Sequence, residues 1–346
     1  MIAPFAAPIH GGDVLAAAAR WGLDPSAILD FSANINPLGA PPVALEAARA
    51  ALASVTHYPE PHSRLLCMVL AERHGVPEGA ILVGNGAAEV IHLLLRQAGG
   101  RRISFPVPGF AEYGRAARAV GGIIVAEGTP VPSGAGLQPG DFLILCNPHN
   151  PTGLLLTPDQ VLAIADATAA TVIVDEAFID LTDAGEQGSV IPHVPQRANL
   201  VVIRSLTKFY ALPGLRIGYA VGRPELVADL DRVRDPWSVS ALAQAAALAA
   251  LADHAYADRT REWVRAERTF LAGELARLPG YSIAPPSANF ILLRAPEPAW
   301  AIQERLGPQG ILIRDCRSFQ GLSEYHVRVA VRSRPENLRL LEALKP

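Results

Sequence analysis

The chain has 346 residues, half of them hydrophobic and 18% charged, with a formal net charge of −3. That length suits one large domain plus a smaller one around a sizeable core. The slight acidity excludes nucleic acid as the main partner, and three scattered cysteines, Cys67, Cys146 and Cys316, give neither a disulfide framework nor a zinc site.

Residues 1–8 lack the basic region of a secretory signal. The most apolar long stretch, 238–252, is too short to span a bilayer and reads as a buried helix. These features predict a cytoplasmic protein with no membrane partner.

Residues 10–40 are rich in Gly, Pro and Asn and are predicted to be irregular. They carry His10-Gly11-Gly12 and a run from Asp30 to Gly39 that includes Asn34 and Asn36. Helices are expected over 41–54 and 63–74, with a turn at 57–59. From residue 81, short apolar runs at 81–83, 103–105, 123–125, 142–145, 171–174, 201–203 and 217–219 alternate with helical stretches at 87–97, 111–120 and 158–167. Several runs are continuously apolar, as in strands covered on both faces by helices. The pattern predicts an α/β fold around a mainly parallel seven-stranded sheet, which binds ligands beyond the carboxyl ends of its strands. Residues 224–278 read as one long helix or two. A smaller α+β unit follows, with strands at 290–293, 311–313 and 327–330 and a helix at 335–344. The expected division is an N-terminal segment 1–40 packing with the small domain, a large domain 41–235, and a linking helix with the small domain over 236–346.

The polar clusters lie just after the apolar runs. Gly84-Asn85-Gly86-Ala87 follows a strand and opens a helix, so it serves either as a plain turn or as an anion cradle of free N–H groups. Asn147 stands at another strand end, held by two X-Pro bonds and Gly153. Asp175 ends a buried strand, where a lone carboxylate is costly. It could hold a metal, orient a histidine, or pair with a protonated ring nitrogen, and no His/Cys cluster supports the metal. Lys208 closes the run Ser205-Leu206-Thr207-Lys208, and Arg216 follows eight residues later. The chain has two lysines, Lys208 and Lys345, and uses arginine for every other fixed cation. An interior lysine can do what arginine cannot: lose its proton and form a Schiff base. Two hydroxyls and a guanidinium beside it suit a phosphate. A strand-end Asp, a strand-end Asn, a Ser-x-Thr-Lys and a downstream Arg form the parts list for pyridoxal 5'-phosphate.

The order Asn-Pro-x-Asn-Pro-Thr-Gly, Asp-Glu-Ala-Phe, Ser-Leu-Thr-Lys-Phe-Tyr and Pro-Gly-Leu-Arg-Ile-Gly-Tyr resembles the fold-type I pyridoxal phosphate enzymes of the aspartate aminotransferase superfamily. The histidinol-phosphate aminotransferase branch and its relatives are the most similar. The resemblance spans nearly the whole chain. It implies that Lys208 is the Schiff-base lysine, that Asp175 partners the pyridine nitrogen, and that Asn147 contacts the phenolic oxygen. It places Gly86, Ala87, Ser205, Thr207 and Arg216 around the cofactor phosphate and Phe110 on the ring face. It implies a homodimer with shared active sites, in which Tyr58 reaches the neighbour's cofactor. One departure stands out: Phe178 occupies a position that is usually tyrosine in aminotransferases.

The N-terminal segment from His10 to Asp13, the run from Leu29 to Gly39, and the stretches Pro108 to Arg115, Arg204 to Tyr210 and Pro236 to Val239 are similar to the threonine-phosphate decarboxylases of cobalamin biosynthesis. These enzymes convert L-threonine O-3-phosphate to (R)-1-amino-2-propanol O-2-phosphate and carbon dioxide. The implied substrate is a small phosphorylated amino acid, for which the remaining cations are suited. By resemblance Arg328 holds its carboxylate and Arg314 its phosphate, with His10, Asn34 and Arg332 as further contacts. The alternative enzyme is a histidinol-phosphate aminotransferase. A non-catalytic cofactor-binding regulator and a cofactor-free homologue are the other readings. The first lacks a DNA-binding element ahead of the fold, and the second does not explain Lys208.

Overall fold

The computed structural model describes residues 10–345. The stretch 1–8, read above for a leader, and the start of the N-terminal segment lie outside the described residues. Seven strands build the large sheet in the order Ile81–Gly84, Gly218–Val221, Leu200–Ser205, Thr171–Asp175, Phe142–Cys146, Arg102–Pro106 and Ile123–Glu127. Gly218–Val221 runs antiparallel to both neighbours, and the remaining pairs are parallel.

The apolar runs form strands because alternate side chains have a core on each side. Leu143, Leu145, Val172, Val174 and Val202 pack against Val161, Leu162 and Ala165 on one face. Ile103, Ile144, Ile173 and Ile203 meet Leu94, Leu95, Tyr113 and Ala116 on the other. Register then aligns the strand ends. Cys146 lies opposite Asp175, and Asp175 opposite Ile203; Ser205 lies opposite Gly218, and Gly218 opposite Gly84. Directly behind these ends Arg204, 1% exposed, forms ion pairs with Glu176 (3.1 Å), Asp180 (2.9 Å) and Glu186. This buried network ties together the two strands that carry Asp175 and Ser205.

The small sheet is antiparallel, in the order Arg314–Asp315, His326–Ala330, Phe290–Arg294 and Ser282–Ile283. A separate parallel pair joins Leu29–Asp30 to Ile311–Leu312. Phe31, fully buried, packs in the core of the small sheet with Ile291, Val329 and Leu340.

Three expectations change. Residues 10–40 are not all irregular, because Val14–Trp21 is a helix. Asp13 caps it by accepting from the Ala16 N–H at 3.0 Å, and Gly22 closes it in the left-handed conformation (φ 65°). The alanine run has high helix propensity, which the flanking Gly and Pro residues masked. Residues 224–278 hold three helices, Pro224–Val233, Ala241–Ala252 and His254–Leu275. Asp235-Pro236 follows the first, and Asp253 caps the third by accepting from the Tyr256 N–H at 2.9 Å. Ile311–Leu312 and Arg314–Asp315 join different sheets, so the strand read at 311–313 is divided.

Candidate active site

A cavity of about 430 Å³ opens at the carboxyl ends of the parallel strands and is closed on its far side by the small sheet. Lys208, Asp175, Ser205, Thr207, Ala87, Arg216, Phe110, Arg314, Arg328, Asn34 and His10 all line it. Residues far apart in sequence thus share one wall because the strand register brings their ends level.

Lys208 sits in the short helix Leu206–Phe209 at the end of its strand. Its loop is pinned by the N-terminal segment. The Asn36 backbone N–H donates to the Lys208 carbonyl (3.1 Å), and Asn36 Nδ2 donates to the Phe209 carbonyl (2.8 Å). Burial, then the positive charges of Arg328 and Arg216, pull the Lys208 amine down to about 8, against the opposing pull of Asp175 and Asp30. An ordinary lysine titrates near 10.5, so Lys208 is far more often neutral.

Asp175 is buried with both carboxylate oxygens occupied. Oδ2 accepts from the Tyr113 hydroxyl at 2.7 Å, and Oδ1 from the Ala177 N–H at 3.0 Å. Burial raises its pKa; the Tyr113 and Ala177 hydrogen bonds and the Lys208 charge oppose that shift without cancelling it. A cation placed against it would complete the balance.

An anion cradle flanks the lysine. Ala87 and Ala88 stand in the first turn of helix Gly86–Leu95 and face the cavity, where free N–H groups and the helix dipole favour negative charge. Ser205 Oγ and Thr207 Oγ1 lie 2.7 Å apart beside them. Two glycines make this approach possible. A Cβ at Gly86 (φ +81°) would stand 2.5 Å from Arg216 Nη2, and one at Gly218 would stand 2.6 Å from the Ala87 nitrogen.

The small sheet supplies two buried cations. Arg314 and Arg328 are directly opposed Cα partners on neighbouring antiparallel strands, 2% and 6% exposed. Like charges so placed are destabilising unless an anion joins them. Arg328 Nη1 donates to Asn150 Oδ1 (2.6 Å) and Nη2 to the Ser32 carbonyl (2.8 Å), both neutral oxygens. Burial pulls its guanidinium down to about 10, which still leaves it charged at neutral pH. Arg314 Nη2 donates to Ser318 Oγ (2.7 Å), and its guanidinium lies over the Phe319 ring at 5.0 Å. Asn34 is 3% exposed with Oδ1 unpartnered among the described residues, and His10 pairs with Glu112 at 3.0 Å.

Four predicted residues lie off the cavity wall. Gly86 sits behind Ala87, beneath Arg216. Asn147 is fully buried, and its side-chain amide is bonded at both ends to the Leu156 backbone (2.8 and 3.1 Å). Tyr58 is 79% exposed and stacks on Trp237 at 4.5 Å. Arg332 is directed elsewhere, donating to the Asp30 carbonyl (3.0 Å) and to Glu336 (2.7 Å). The strand ends at Ala330, so strand alternation no longer applies to Arg332. Glu336, which belongs to the Ser333 capping box, claims its guanidinium. Conversely, Tyr113, Asn150, Ser32 and Asn36 build the site although the sequence gives none of them a role. All four stand inside the motifs noted above, but nothing local in them signals contacts that form only in three dimensions.

Lysine and carboxylate at the carboxyl end of a seven-stranded, mostly parallel sheet, with an anion cradle beside them, define the fold-type I class of pyridoxal 5'-phosphate enzymes. The chain belongs to the aminotransferase class I and II family, whose model matches residues 26–344. It is 40% identical to a threonine-phosphate decarboxylase of Salmonella typhimurium, covering 97% of this chain and 95% of that protein. It is 37% identical to a histidinol-phosphate aminotransferase of Symbiobacterium thermophilum, over 92% and 90% of the two chains. Among solved structures, the L-threonine-O-3-phosphate decarboxylase of Porphyromonas gingivalis superposes with a TM-score of 0.84 at 29% identity, covering 91% of this chain and 97% of that one.

Proposed function

We propose that this protein decarboxylates L-threonine O-3-phosphate to (R)-1-amino-2-propanol O-2-phosphate, a step of cobalamin biosynthesis, using pyridoxal 5'-phosphate. The observation that carries the substrate class is that two buried guanidiniums, Arg314 and Arg328, line the same cavity as Lys208, where they can take a carboxylate and a phosphate together. The choice of decarboxylation over transamination rests on the similarity to the Salmonella typhimurium enzyme.

The residues present fit the cofactor. The Gly86 and Gly218 approaches leave a cradle that any Cβ would fill, and among the described residues Asp175 has no cationic partner beyond Lys208. Ala87 N–H, Ser205, Thr207 and Arg216 would hold the phosphate, Phe110 would cover the ring, and Asp175 would keep the ring nitrogen protonated. Asn147 is kept as a contact to the phenolic oxygen through its second amide hydrogen. When bound, the cofactor draws into its protonated ring the electron pair left by a bond broken at the substrate α-carbon.

The chain's own residues do the rest. Arg328, braced by Asn150 and the Ser32 carbonyl, fixes the carboxylate, and Arg314 fixes the phosphate, with Asn34 and His10 closing the mouth. Once carbon dioxide has left, Lys208 Nζ returns a proton to the α-carbon. Arg332 supports this wall from behind, through Asp30 and Glu336.

A low Lys208 pKa gives a pH signature for cofactor capture. The neutral amine is the nucleophile, so below about pH 8 the rate at which apoprotein takes up pyridoxal 5'-phosphate should rise about tenfold per pH unit and then level. Stopped-flow absorbance measures this; a rate still climbing past pH 10 would show an ordinary lysine.

The functional unit we infer is a homodimer in the cytoplasm. Leu52, Val55, Leu65 and Met68 are each more than half exposed, and Tyr58 stacks on Trp237 at the surface; apolar side chains left exposed in this way support association. A second copy seated there would bring Tyr58 to its neighbour's cofactor. The domain division at residues 40 and 235 is retained in this reading, the N-terminal segment packing with the small domain. The test of function is carbon dioxide release from L-threonine O-3-phosphate by purified holoprotein.

A further inference from the structure

Tyr113 is a fully buried polar side chain on the wall of the site to which the cofactor reading gives no role. It is fully buried on helix Ala111–Ala119, and its hydroxyl donates to Asp175 Oδ2 at 2.7 Å. Its ring meets Phe110 edge-on, with centroids 5.6 Å apart and planes at 87°. One side chain therefore touches both Asp175, which would pair with the ring nitrogen, and Phe110, which would cover the ring.

We propose that Tyr113 is a positioning residue that sets the electron demand of the cofactor, by acting on Asp175 rather than on substrate. The proposal rests on the cofactor assignment above. A phenol that donates to an ionised carboxylate forms a strong, charge-assisted bond and favours the charged form. It also drains negative charge from Asp175. Asp175 then takes less of the proton it shares with the ring nitrogen, so the proton stays on the ring. Asp175 Oδ1 is already held by the Ala177 N–H, so Tyr113 is the side chain that tunes Oδ2. The other groups facing this pair are Cys146 on the neighbouring strand and Lys208 across the cavity. Lys208 in turn feels Arg328, Arg216 and Asp30. None of these donates to Oδ2 among the described residues.

The sign of the effect follows. A weaker electron sink leaves the imine between cofactor and Lys208 more basic. The pH midpoint of the holoenzyme's visible absorbance band should therefore move up in Tyr113→Phe, on the order of one unit for a bond to a charged group. A 3,5-difluorotyrosine installed at 113 is a stronger donor of the same shape, and the midpoint should move down. In Asp175→Asn, adding Tyr113→Phe should produce a much smaller further shift, because the negative charge on which Tyr113 acts is gone. In steady state, Tyr113→Phe should lower kcat several-fold with KM almost unchanged.

A purely structural tyrosine would change melting temperature but would not give shifts of opposite sign from the two substitutions. Unchanged midpoints in both variants would overturn the proposal, as would shifts of the same sign. If Tyr113→Phe does not fold, the downward shift with difluorotyrosine decides alone. A wild-type protein with no visible band would instead refute the cofactor assignment, so the two failures are distinguishable.

Discussion

Lys208→Arg is expected to lose activity by more than about 10⁴-fold. Arginine keeps the positive charge that Asp175 faces, and it is tolerated elsewhere in a chain that uses it for nearly every fixed cation. It cannot offer a neutral amine at working pH, so it can neither attach the cofactor nor return a proton to the substrate. The Lys208 environment is built for that neutral form, since burial and two neighbouring guanidiniums bring the amine to about 8. Two measurements check this. Carbon dioxide release should fall to background, and borohydride reduction should no longer fix the cofactor to the peptide containing position 208. Retained covalent labelling of that variant would mean that another amine, the Lys345 side chain or the N-terminus, serves in its place.

Asp175→Asn is expected to lower kcat by roughly 10²–10³-fold while leaving substrate KM within a few-fold. The substitution is nearly isosteric and keeps an oxygen for the Ala177 N–H or the Tyr113 hydroxyl. It removes the negative charge that would hold a ring proton, so the loss should fall on bond breaking and not on the substrate capture proposed for Arg314 and Arg328. The variant should still bind cofactor through the cradle of Ala87, Ser205, Thr207 and Arg216, with weaker affinity. Cofactor titration followed by steady-state kinetics separates the two effects. A large rise in KM with kcat unchanged would mean that Asp175 acts in substrate binding.

Much of this was legible in the sequence because it is local. Each of the seven apolar runs became a strand of the large sheet, and the residues just beyond them, Asp175, Ser205, Thr207 and Lys208, share one cavity because the strand register levels their ends. What escaped was set by tertiary contact. Val14–Trp21 hid among glycines and prolines although its own alanines favour a helix. Asn36, Ser32 and Asn150 hold Lys208 and Arg328 across separations of more than 170 residues, and no periodicity records such pairings. Arg332 is an expected substrate contact, yet the strand ends between Arg328 and Arg332 and the capping box at Ser333 turns the second arginine away. Tyr113 lay inside a quoted motif, and only the packing of helix Ala111–Ala119 against the Asp175 strand gave it a partner.

The central claim is tested most directly by supplying holoprotein with L-threonine O-3-phosphate and no keto acid, and following carbon dioxide and amine products together. The account predicts sustained release of carbon dioxide, matched mole for mole by (R)-1-amino-2-propanol O-2-phosphate. No release from that substrate, with glutamate formed instead from histidinol phosphate and 2-oxoglutarate, would contradict it and make the protein an aminotransferase.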